Sequence, residues 1–315
     1  DKKLENFEDR EAYKRRINDS KMITYIYTKY EHNKELTKED LKFIYEVDRK
    51  IEGFGYQKDP RLEEIKQGRD KRKDLVDLYE CKEEEIGLNY EDFLKSQERG
   101  IRLKYYEGDL DLSYLESGEN LAFPEKIKGN LNLSSLKSAK SIKLPKEVGN
   151  LVLSSLESAE GLELPEKAII LYLNSLKSAK GIKLPEKVKA LYLSSLKNAE
   201  GLELPKIVEG DLILGFLENA KGLKLPKEVG NLDLCSLESA EGLELPKEVG
   251  NLDLCSLKSA KDLELPEIVK GKLYLSSLES TEGLKLSDGI DMDKVYLPYN
   301  IDKELLTGKN SRKAR

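Results

Sequence analysis

Cys235 and Cys255 are the residues of this chain whose type and spacing most readily suggest chemistry. They lie 20 residues apart and occupy the same position in two successive copies of a repeat, where other copies have Ser154 or Ser194. Two thiols one strand apart would suggest a metal or redox site. A metal site needs further ligands, and none is evident nearby. We therefore interpret the pair as a serine-to-cysteine variation within the repeat, and we expect Cys81 to be a helix-end or core residue.

The other residues that could take part in catalysis do not form a known arrangement. His32, the single histidine, lies near the end of a predicted helix, and no G-x-S-x-G segment exists to supply a serine nucleophile. Residues 53–56 (GFGY) are too few for a phosphate-binding loop, so we interpret them as a turn. We predict a surface histidine, no catalytic or metal site, no cofactor and no enzyme activity. The hypothesis that residues 1–100 form an enzyme with a new kind of site is kept as a further alternative.

The charge balance argues against a general nucleic-acid binder. The chain of 315 residues has 54 basic and 60 acidic side chains, a formal net charge of −6, whereas such binders are normally basic. Two local exceptions are residues 69–73 (RDKRK) and residues 309–315 (KNSRKAR). We interpret the first as a solvated helix face and the second as a solvated end. A nucleic-acid-associated factor, whose helical region binds while the repeat region positions it, is therefore the alternative hypothesis.

Neither a membrane nor an oxidising compartment is expected. The longest uncharged apolar stretch, at about residues 168–176, is too short to span a bilayer. The beginning of the chain has no signal-peptide pattern, and the start at Asp1 without a methionine leaves open whether a segment has been removed. Three cysteines without regular pairing favour a reducing cytoplasm.

The first hundred residues have the pattern of short helices. Thr37 and Asp40 have the spacing of a capping box, with aspartate in place of the usual glutamate or glutamine. Pro60 suits the first turn of a later helix, because its missing N–H would be unpaired there. Apolar residues at helical spacing, such as Leu41, Ile44 and Tyr45, support this prediction. We expect four to six helices in this region.

The remainder of the chain is a repeat whose period is marked by proline. The spacing is 20 or 21 residues, which is typical of stacked repeat architectures. Each copy has two L-x-L segments, such as residues 191–193 and 202–204, whose alternation places both leucines inward, as in a β-strand. Twenty residues cannot hold two strands and a long helix, so each copy is expected to be a flattened coil paired in parallel with its neighbours. The regularly spaced prolines are Pro124, Pro145, Pro165, Pro185, Pro205, Pro226, Pro246 and Pro266, and nine copies begin their first L-x-L at Leu110, Leu131, Leu151, Leu171, Leu191, Leu212, Leu232, Leu252 and Leu273.

These patterns predict an α+β fold class with three parts. A helical domain over residues 1–104 is expected to cap the N-terminal end of a parallel-β solenoid of about nine turns over residues 105–286, with two short strands per turn. Caps are needed because no single turn can bury its leucines alone. Residues 287–315, where Ser287 replaces the proline, are expected to form a C-terminal cap and a basic tail. The valine after each proline should fill a corner, and Ser-Ala with the following glycine should make the opposite corner, where glycine tolerates positive φ.

The repeat L-P-x-x-V-x-x-L-x-L-x-S-L resembles the short bacterial leucine-rich repeats, and its L-x-L-P-x-x-V part is similar to the BspA-like kind. The resemblance covers residues 108–286, a little over half of the chain. Leu156, Leu176 and Leu196 stand where many leucine-rich repeats have asparagine, and the alanine–phenylalanine pair of the BspA-like kind is missing. The resemblance implies that the first strand of each turn lines a concave binding face.

The middle position of the first strand contains an apolar stripe. Four consecutive copies have Val152, Tyr172, Tyr192 and Ile213 there, with Ile170 and Ala190 at the edge, and aspartates and asparagines border the stripe. An outward apolar and aromatic patch with a polar rim is typical of a protein-binding site. We predict that Val152, Ile170, Tyr172, Tyr192 and Ile213 bind an unidentified protein partner. The alternative is that the helical region or another copy of the chain covers the stripe; the oligomeric state is open.

Other exposed columns alternate in charge and are expected to fix register and solubility instead of binding a partner. The two columns are Lys140, Glu160, Lys180, Glu200, Lys221, Glu241, Lys261 and Glu282, and Lys143, Glu163, Lys183, Glu203, Lys224, Glu244, Glu264 and Lys285.

Overall fold

A computed structural model describes residues 10–53, 58–139, 142–261 and 263–301. The chain divides into two compact units, Asp1–Asp92 and Phe93–Arg315. Residues 54–56 of the expected turn, Lys140 of a predicted charge column and the basic residues 309–315 lie outside the described residues. Among the described residues, no helix has both the length and the apolar character needed to cross a bilayer.

Among the described residues between 10 and 98 there are five helices, in agreement with the expected four to six. The predicted capping box is confirmed: the Thr37 hydroxyl accepts from the Asp40 N–H, and the Asp40 carboxylate accepts from the Thr37 N–H at 2.8 Å. Pro60 is the first residue of its helix, and the Asp59 carboxylate caps it. The bounds are α1 Arg10–Glu31, α2 Lys38–Ile44, α3 Pro60–Gln67, α4 Lys71–Tyr79 and α5 Tyr90–Glu98, with a 3-10 turn at Glu83–Glu85.

A small apolar core and a buried hydrogen-bonded carboxylate hold the first unit together. Asp74 is 5% exposed. Its carboxylate accepts from the Tyr45 hydroxyl at 2.7 Å and from two nitrogens of Arg69 at 2.6 Å each. Burial and the Asp74 carboxylate raise the pKa of Tyr45, so the phenol stays a hydrogen-bond donor. The apolar core consists of Ile23, Ile26, Leu41, Ile44, Tyr45, Leu62 and Ile65.

The strands of the second unit pair in parallel and form a solenoid of about ten turns. This is one turn more than the nine copies counted in the sequence, because the divergent stretch after Ser287 also forms strands. Gly289–Ile290 pairs with Ile268–Val269, and Val295–Tyr296 pairs with Leu273–Tyr274. The predicted α+β class, with helices followed by a parallel-β solenoid, is confirmed. The strand bounds are β1 Ile86–Gly87, β2 Tyr105–Tyr106, β3 Leu110–Asp111, β4 Lys126–Ile127, β5 Leu131–Asn132, β6 Glu147–Val152, β7 Lys167–Tyr172, β8 Lys187–Val188, β9 Ala190–Tyr192, β10 Ile207–Ile213, β11 Glu228–Asp233, β12 Glu248–Val249, β13 Leu252–Asp253, β14 Ile268–Val269, β15 Leu273–Tyr274, β16 Gly289–Ile290 and β17 Val295–Tyr296, with a 3-10 turn at Met292–Lys294.

Two strands per turn are present, but one of them lies at a different place from the one predicted. The first L-x-L is a strand, whereas the second belongs to no strand, and the other strand forms around the valine that follows the proline. In the second L-x-L the first N–H is used within its own turn, as when Leu162 donates to the Ala159 carbonyl at 3.0 Å. The proline at its end has no N–H to give. In β6, β7, β10 and β11 the two strands are continuous.

The corners of each turn follow the predicted chemistry. The corner valines are buried: Val148 is 6% exposed and Val249 is 1% exposed. The corner glycines have positive φ, for example 77° at Gly161 and 79° at Gly181. The inward leucines form one continuous core along the solenoid.

Ion pairs between turns lie in columns that the sequence analysis did not choose. In the described residues the two predicted columns contain no ion pair within 4.0 Å, whereas one column of pairs follows the corner leucine and other pairs lie after the proline or beside the corner valine. The side chains of the column after the corner leucine are more than half exposed, so each of its pairs contributes little to stability. This column contains the pairs Lys137 with Glu116, Lys177 with Glu157, Lys197 with Glu218, and Lys258 with Glu238.

Candidate functional site

The parallel register brings the middle residues of the first strands into one column, which we call the first-strand face. Leu171 lies opposite Leu191 and Leu212 opposite Leu232, and both leucines point into the core. The residue after each leucine therefore points outward, because side chains alternate along a strand. The first-strand face consists, in order, of Asp111, Asn132, Val152, Tyr172, Tyr192, Ile213, Asp233, Asp253, Tyr274 and Tyr296.

Tyr172 and Tyr192 form the aromatic centre of this face. Their rings are stacked with centroids 4.7 Å apart and planes 10° apart. The Tyr192 hydroxyl donates to Asp211 at 3.1 Å, and Asp211 also accepts from the Asn231 amide at 2.7 Å. Burial and the Asp211 hydrogen bond raise the pKa of Tyr192. The stack is thus held in one orientation before any partner arrives.

The predicted site residues are neighbours in the structure. Val152 lies opposite Tyr172, and Tyr192 lies opposite Ile213. Ile170 lies opposite Ala190 at the edge of the stripe. The five predicted contact residues are half-buried, but Ala190 is 4% exposed and adds nothing to the surface. The contact residues are Val152, Ile170, Tyr172, Tyr192 and Ile213.

Phe216 extends the apolar surface and was missed in the sequence analysis. It lies in the turn after β10, three residues from Ile213, and it is 61% exposed. The same slot holds serine in adjoining turns, at Ser195 and Ser236. An aromatic residue in a serine column was the available signal. Phe216 therefore adds exposed apolar surface in the turn that follows Ile213.

The second half of the first-strand face is acidic. Asp233 lies opposite Asp253, and each carboxylate accepts from the N–H two residues later, that of Cys235 or Cys255, at 2.9 Å. Burial and the charge of Asp233 raise the pKa of Asp253, although the Cys255 N–H lowers it. Lys272 and Tyr274 line a shallow depression together with these aspartates.

A second tyrosine stack closes the face at its C-terminal end. The rings of Tyr274 and Tyr296 have centroids 4.7 Å apart and planes 18° apart, and the Lys272 ammonium lies 5.7 Å from the Tyr296 centroid. Tyr296 belongs to the divergent last turn. This turn lies beyond the last regularly spaced proline, so the proline spacing did not predict its register. The stack is therefore a feature that only the structure reveals.

The structure corrects the interpretation of the two repeat cysteines. Cys235 and Cys255 are joined by a disulfide, with their Cα atoms 5.0 Å apart, so the expectation that the cysteines lack regular pairing is wrong. Asp253 lies beside this pair. Its carboxylate oxygen and the two sulfurs lie within 4.8 Å of one another, and all three residues are half-buried. Cys81 is a half-buried cysteine just after α4 and is not part of the disulfide, as expected for a helix-end residue.

The basic cluster at residues 69–73 is largely committed within the first unit. Arg69 is ion-paired with Asp74, and Arg72 donates to Asp92 at 2.5 Å and to the Ile86 carbonyl. These two guanidinium groups are therefore poorly placed to bind a phosphate backbone, which weakens the nucleic-acid hypothesis. His32 is exposed, as expected, with Nδ1 at 2.8 Å from the Thr28 carbonyl.

The fold and this face define the chain as a repeat protein of the parallel-β solenoid class, joined to a helical unit. Comparisons with protein-family models, with curated proteins and with solved structures gave no match.

Proposed function

We propose that this chain is a non-enzymatic scaffold that recognises a partner protein through the first-strand face of its solenoid. In this proposal the repeat is a short leucine-rich repeat of the bacterial, BspA-like kind, and the protein works in the cytoplasm. The contact residues are Val152, Ile170, Tyr172, Tyr192 and Ile213, to which Phe216 is added.

The observation that carries the proposal is the Tyr172–Tyr192 stack. Tyrosine is enriched at protein interfaces because it offers a large, rigid, amphipathic surface with few rotatable bonds. The two rings are parallel and 4.7 Å apart, and the Tyr192 hydroxyl is fixed by Asp211. A partner that binds here would lose little side-chain entropy on the scaffold's side.

The polar rim indicates the chemistry of the partner. Asp211, Asp233 and Asp253 lie beside or beyond the apolar stripe, and Asp233 and Asp253 have no ion pair within 4.0 Å among the described residues. By contrast, the exposed column after the corner leucine is neutralised by its own lysines. We therefore expect a partner surface with an apolar or aromatic centre and a basic rim, since complementary charge favours the correct register.

Capture of a partner by stack variants tests the proposal. The double variant Tyr172→Glu, Tyr192→Glu should lose a specific partner that the unmodified chain retains from a lysate, with an unchanged circular dichroism spectrum. Exchange of the exposed pair, Glu157→Lys with Lys177→Glu, is the matched control and should retain it. With the identified partner purified, each tyrosine-to-alanine change should lower affinity at least about 30-fold, the value for an interface residue worth about 2 kcal/mol.

The alternatives for this face give different results. If a second copy of the chain covers the stripe, the protein is a dimer in light scattering and the glutamate variant is a monomer. If the helical unit covers it, the variant changes the thermal unfolding of that unit while no partner is captured. Either result, or capture that survives the glutamate changes, contradicts recognition of a separate protein by this face.

A further inference from the structure

The register places two thiols and a carboxylate together on two successive turns. Strands β11 and β13 pair so that Asp233 lies opposite Asp253, and the cysteines follow two residues later, in the turns after these strands. Cys235 and Cys255 have Cα atoms 5.0 Å apart, and their sulfurs and one Asp253 oxygen lie within 4.8 Å of one another. Three ligand atoms of metal-binding types therefore converge at one half-buried point.

This ligand set fits a soft divalent cation. Thiolates select zinc and related metals, and three protein ligands with a fourth, open position are the pattern of exposed zinc sites. With Zn–S bonds of about 2.3 Å in tetrahedral geometry, the two sulfurs must lie about 3.8 Å apart. Cα atoms separated by 5.0 Å allow this by rotation of the two side chains, without any change in the strands.

The surroundings of the cluster orient its ligands and favour positive charge. The Asp253 carboxylate is fixed by the Cys255 N–H at 2.9 Å, and Asp233 is fixed in the same way by the Cys235 N–H. Such outer hydrogen bonds hold metal ligands in place. The adjacent Asp233 carboxylate adds a second negative charge beside Asp253.

We propose that, once the disulfide is reduced, Cys235, Cys255 and Asp253 bind a thiophilic divalent cation, Zn²⁺ or its analogues, with the fourth position open to solvent. Reduction by a small-molecule thiol converts the disulfide and two thiols into two cysteine thiols and one external disulfide. Binding of the cation then releases the two thiol protons and forms two sulfur–metal bonds. The disulfide and the metal complex are thus mutually exclusive states of the same pair.

Cobalt(II) is the probe for this site, because thiolate coordination gives it an intense charge-transfer absorption in the near ultraviolet. The experiment uses the full chain, reduced and freed of excess reductant without oxygen, in a Cys81→Ser background that removes the third thiol. We expect the band to saturate at about one cobalt per chain and to disappear when Zn²⁺ is added. The disulfide form, verified by mass, should give no band.

Single substitutions distinguish this site from unspecific binding. Cys235→Ser and Cys255→Ser should each abolish the band while keeping the fold, because serine occupies this slot in other turns (Ser154, Ser194). Asp253→Asn should weaken cobalt binding at least about tenfold. Absence of the band in the reduced protein, or a band that survives either cysteine change, overturns the proposal. Saturation at half an equivalent with dimer formation also overturns it, since the metal would then join two chains.

Discussion

The stacked rings of Tyr172 and Tyr192 should stabilise each other by about 0.5–1.5 kcal/mol, the usual value for a well-oriented aromatic pair beyond its burial. The rings are nearly parallel, with centroids 4.7 Å apart and planes 10° apart. Tyr192→Ala removes both this stack and the 3.1 Å hydrogen bond to Asp211, worth roughly another 0.5–1.5 kcal/mol. Tyr192→Phe removes only the hydrogen bond and keeps the stack.

A double-mutant cycle isolates the stack from the other losses. The free energy of unfolding is measured by urea denaturation for Tyr172→Ala, Tyr192→Ala and both together. Because the hydrogen bond and the burial of each ring cancel in the cycle, the coupling that remains should be about 1 kcal/mol with an unchanged m-value. The pair Tyr274 and Tyr296, also 4.7 Å apart, is an internal replicate and should give a similar coupling.

A matched pair without contact provides the baseline. Val152→Ala and Ile213→Ala lie on the same face but are separated by the two tyrosine turns. Their effects should add within about 0.3–0.5 kcal/mol. If the tyrosine cycle gives a coupling no larger than this baseline, the rings do not form a pre-organised unit, and the argument for a rigid binding centre is wrong.

Three further predictions concern the helical unit and the corners. Asp74→Ala should cost about 2–4 kcal/mol in urea unfolding, because it leaves a buried phenol and a partly buried guanidinium without their acceptor. A cost below about 1 kcal/mol would contradict the buried network. Gly283→Ala should lower the thermal unfolding temperature more than Gly161→Ala. Both glycines have positive φ, but only at Gly283 would the new Cβ lie 2.9 Å from the Lys261 Cα. Equal losses in the two variants would contradict this. Burial raises the pKa of Asp40, but its contacts with Lys29 and Thr37 have a larger effect and lower the pKa overall. The protein should therefore lose stability below about pH 4, and this loss should be smaller in Asp40→Asn. An equal pH dependence in the two proteins would contradict the assignment.

The local features of the fold could be predicted because they depend on few neighbouring residues. The alternation in residues 191–193 determines which side chains point inward, and the proline period gives the length of one turn. The capping box at Thr37 and the positive φ at Gly161 follow equally from local chemistry. Alternation alone could not show that residues 202–204 form no strand. This depends on the Leu202 N–H, which donates to the Ala199 carbonyl of its own turn.

The features of the candidate site that were missed depend on register between turns or on the divergent end. Asp253 became a neighbour of Cys235 only when the two turns were aligned at β-sheet distance. In the sequence Asp253 lies two residues before Cys255, but its distance from Cys235 depends on how the two turns are aligned. Tyr296 was missed because Val295 replaces the expected leucine in the last turn.

The facing aspartates make the acidic half of the first-strand face less stable than it could be. Asp233 and Asp253 lie opposite each other, and burial together with the Asp233 charge raises the pKa of Asp253. Asp253→Asn should therefore stabilise the metal-free protein at neutral pH by up to about 1 kcal/mol, since asparagine keeps the acceptor oxygen and removes the repulsion. The gain should vanish below about pH 4, where the carboxyl group is neutral in both folded and unfolded chains.

Asp111 occupies the equivalent slot in the first copy and is the matched control. Hydrogen bonds from Ser113 lower the pKa of Asp111, so its ionised form is favoured and Asp111→Asn should destabilise the protein, opposite in sign to Asp253→Asn. Thermal unfolding of both variants, with and without Zn²⁺ under reducing conditions, separates the two effects. Zinc should stabilise the unmodified chain more than Asp253→Asn, because a ligand adds stability in proportion to its affinity for the folded state. If Asp253→Asn destabilises the metal-free protein, the Asp253 carboxylate is stabilised by its contacts. The proposed repulsion between Asp233 and Asp253 would then not lower the stability of the fold.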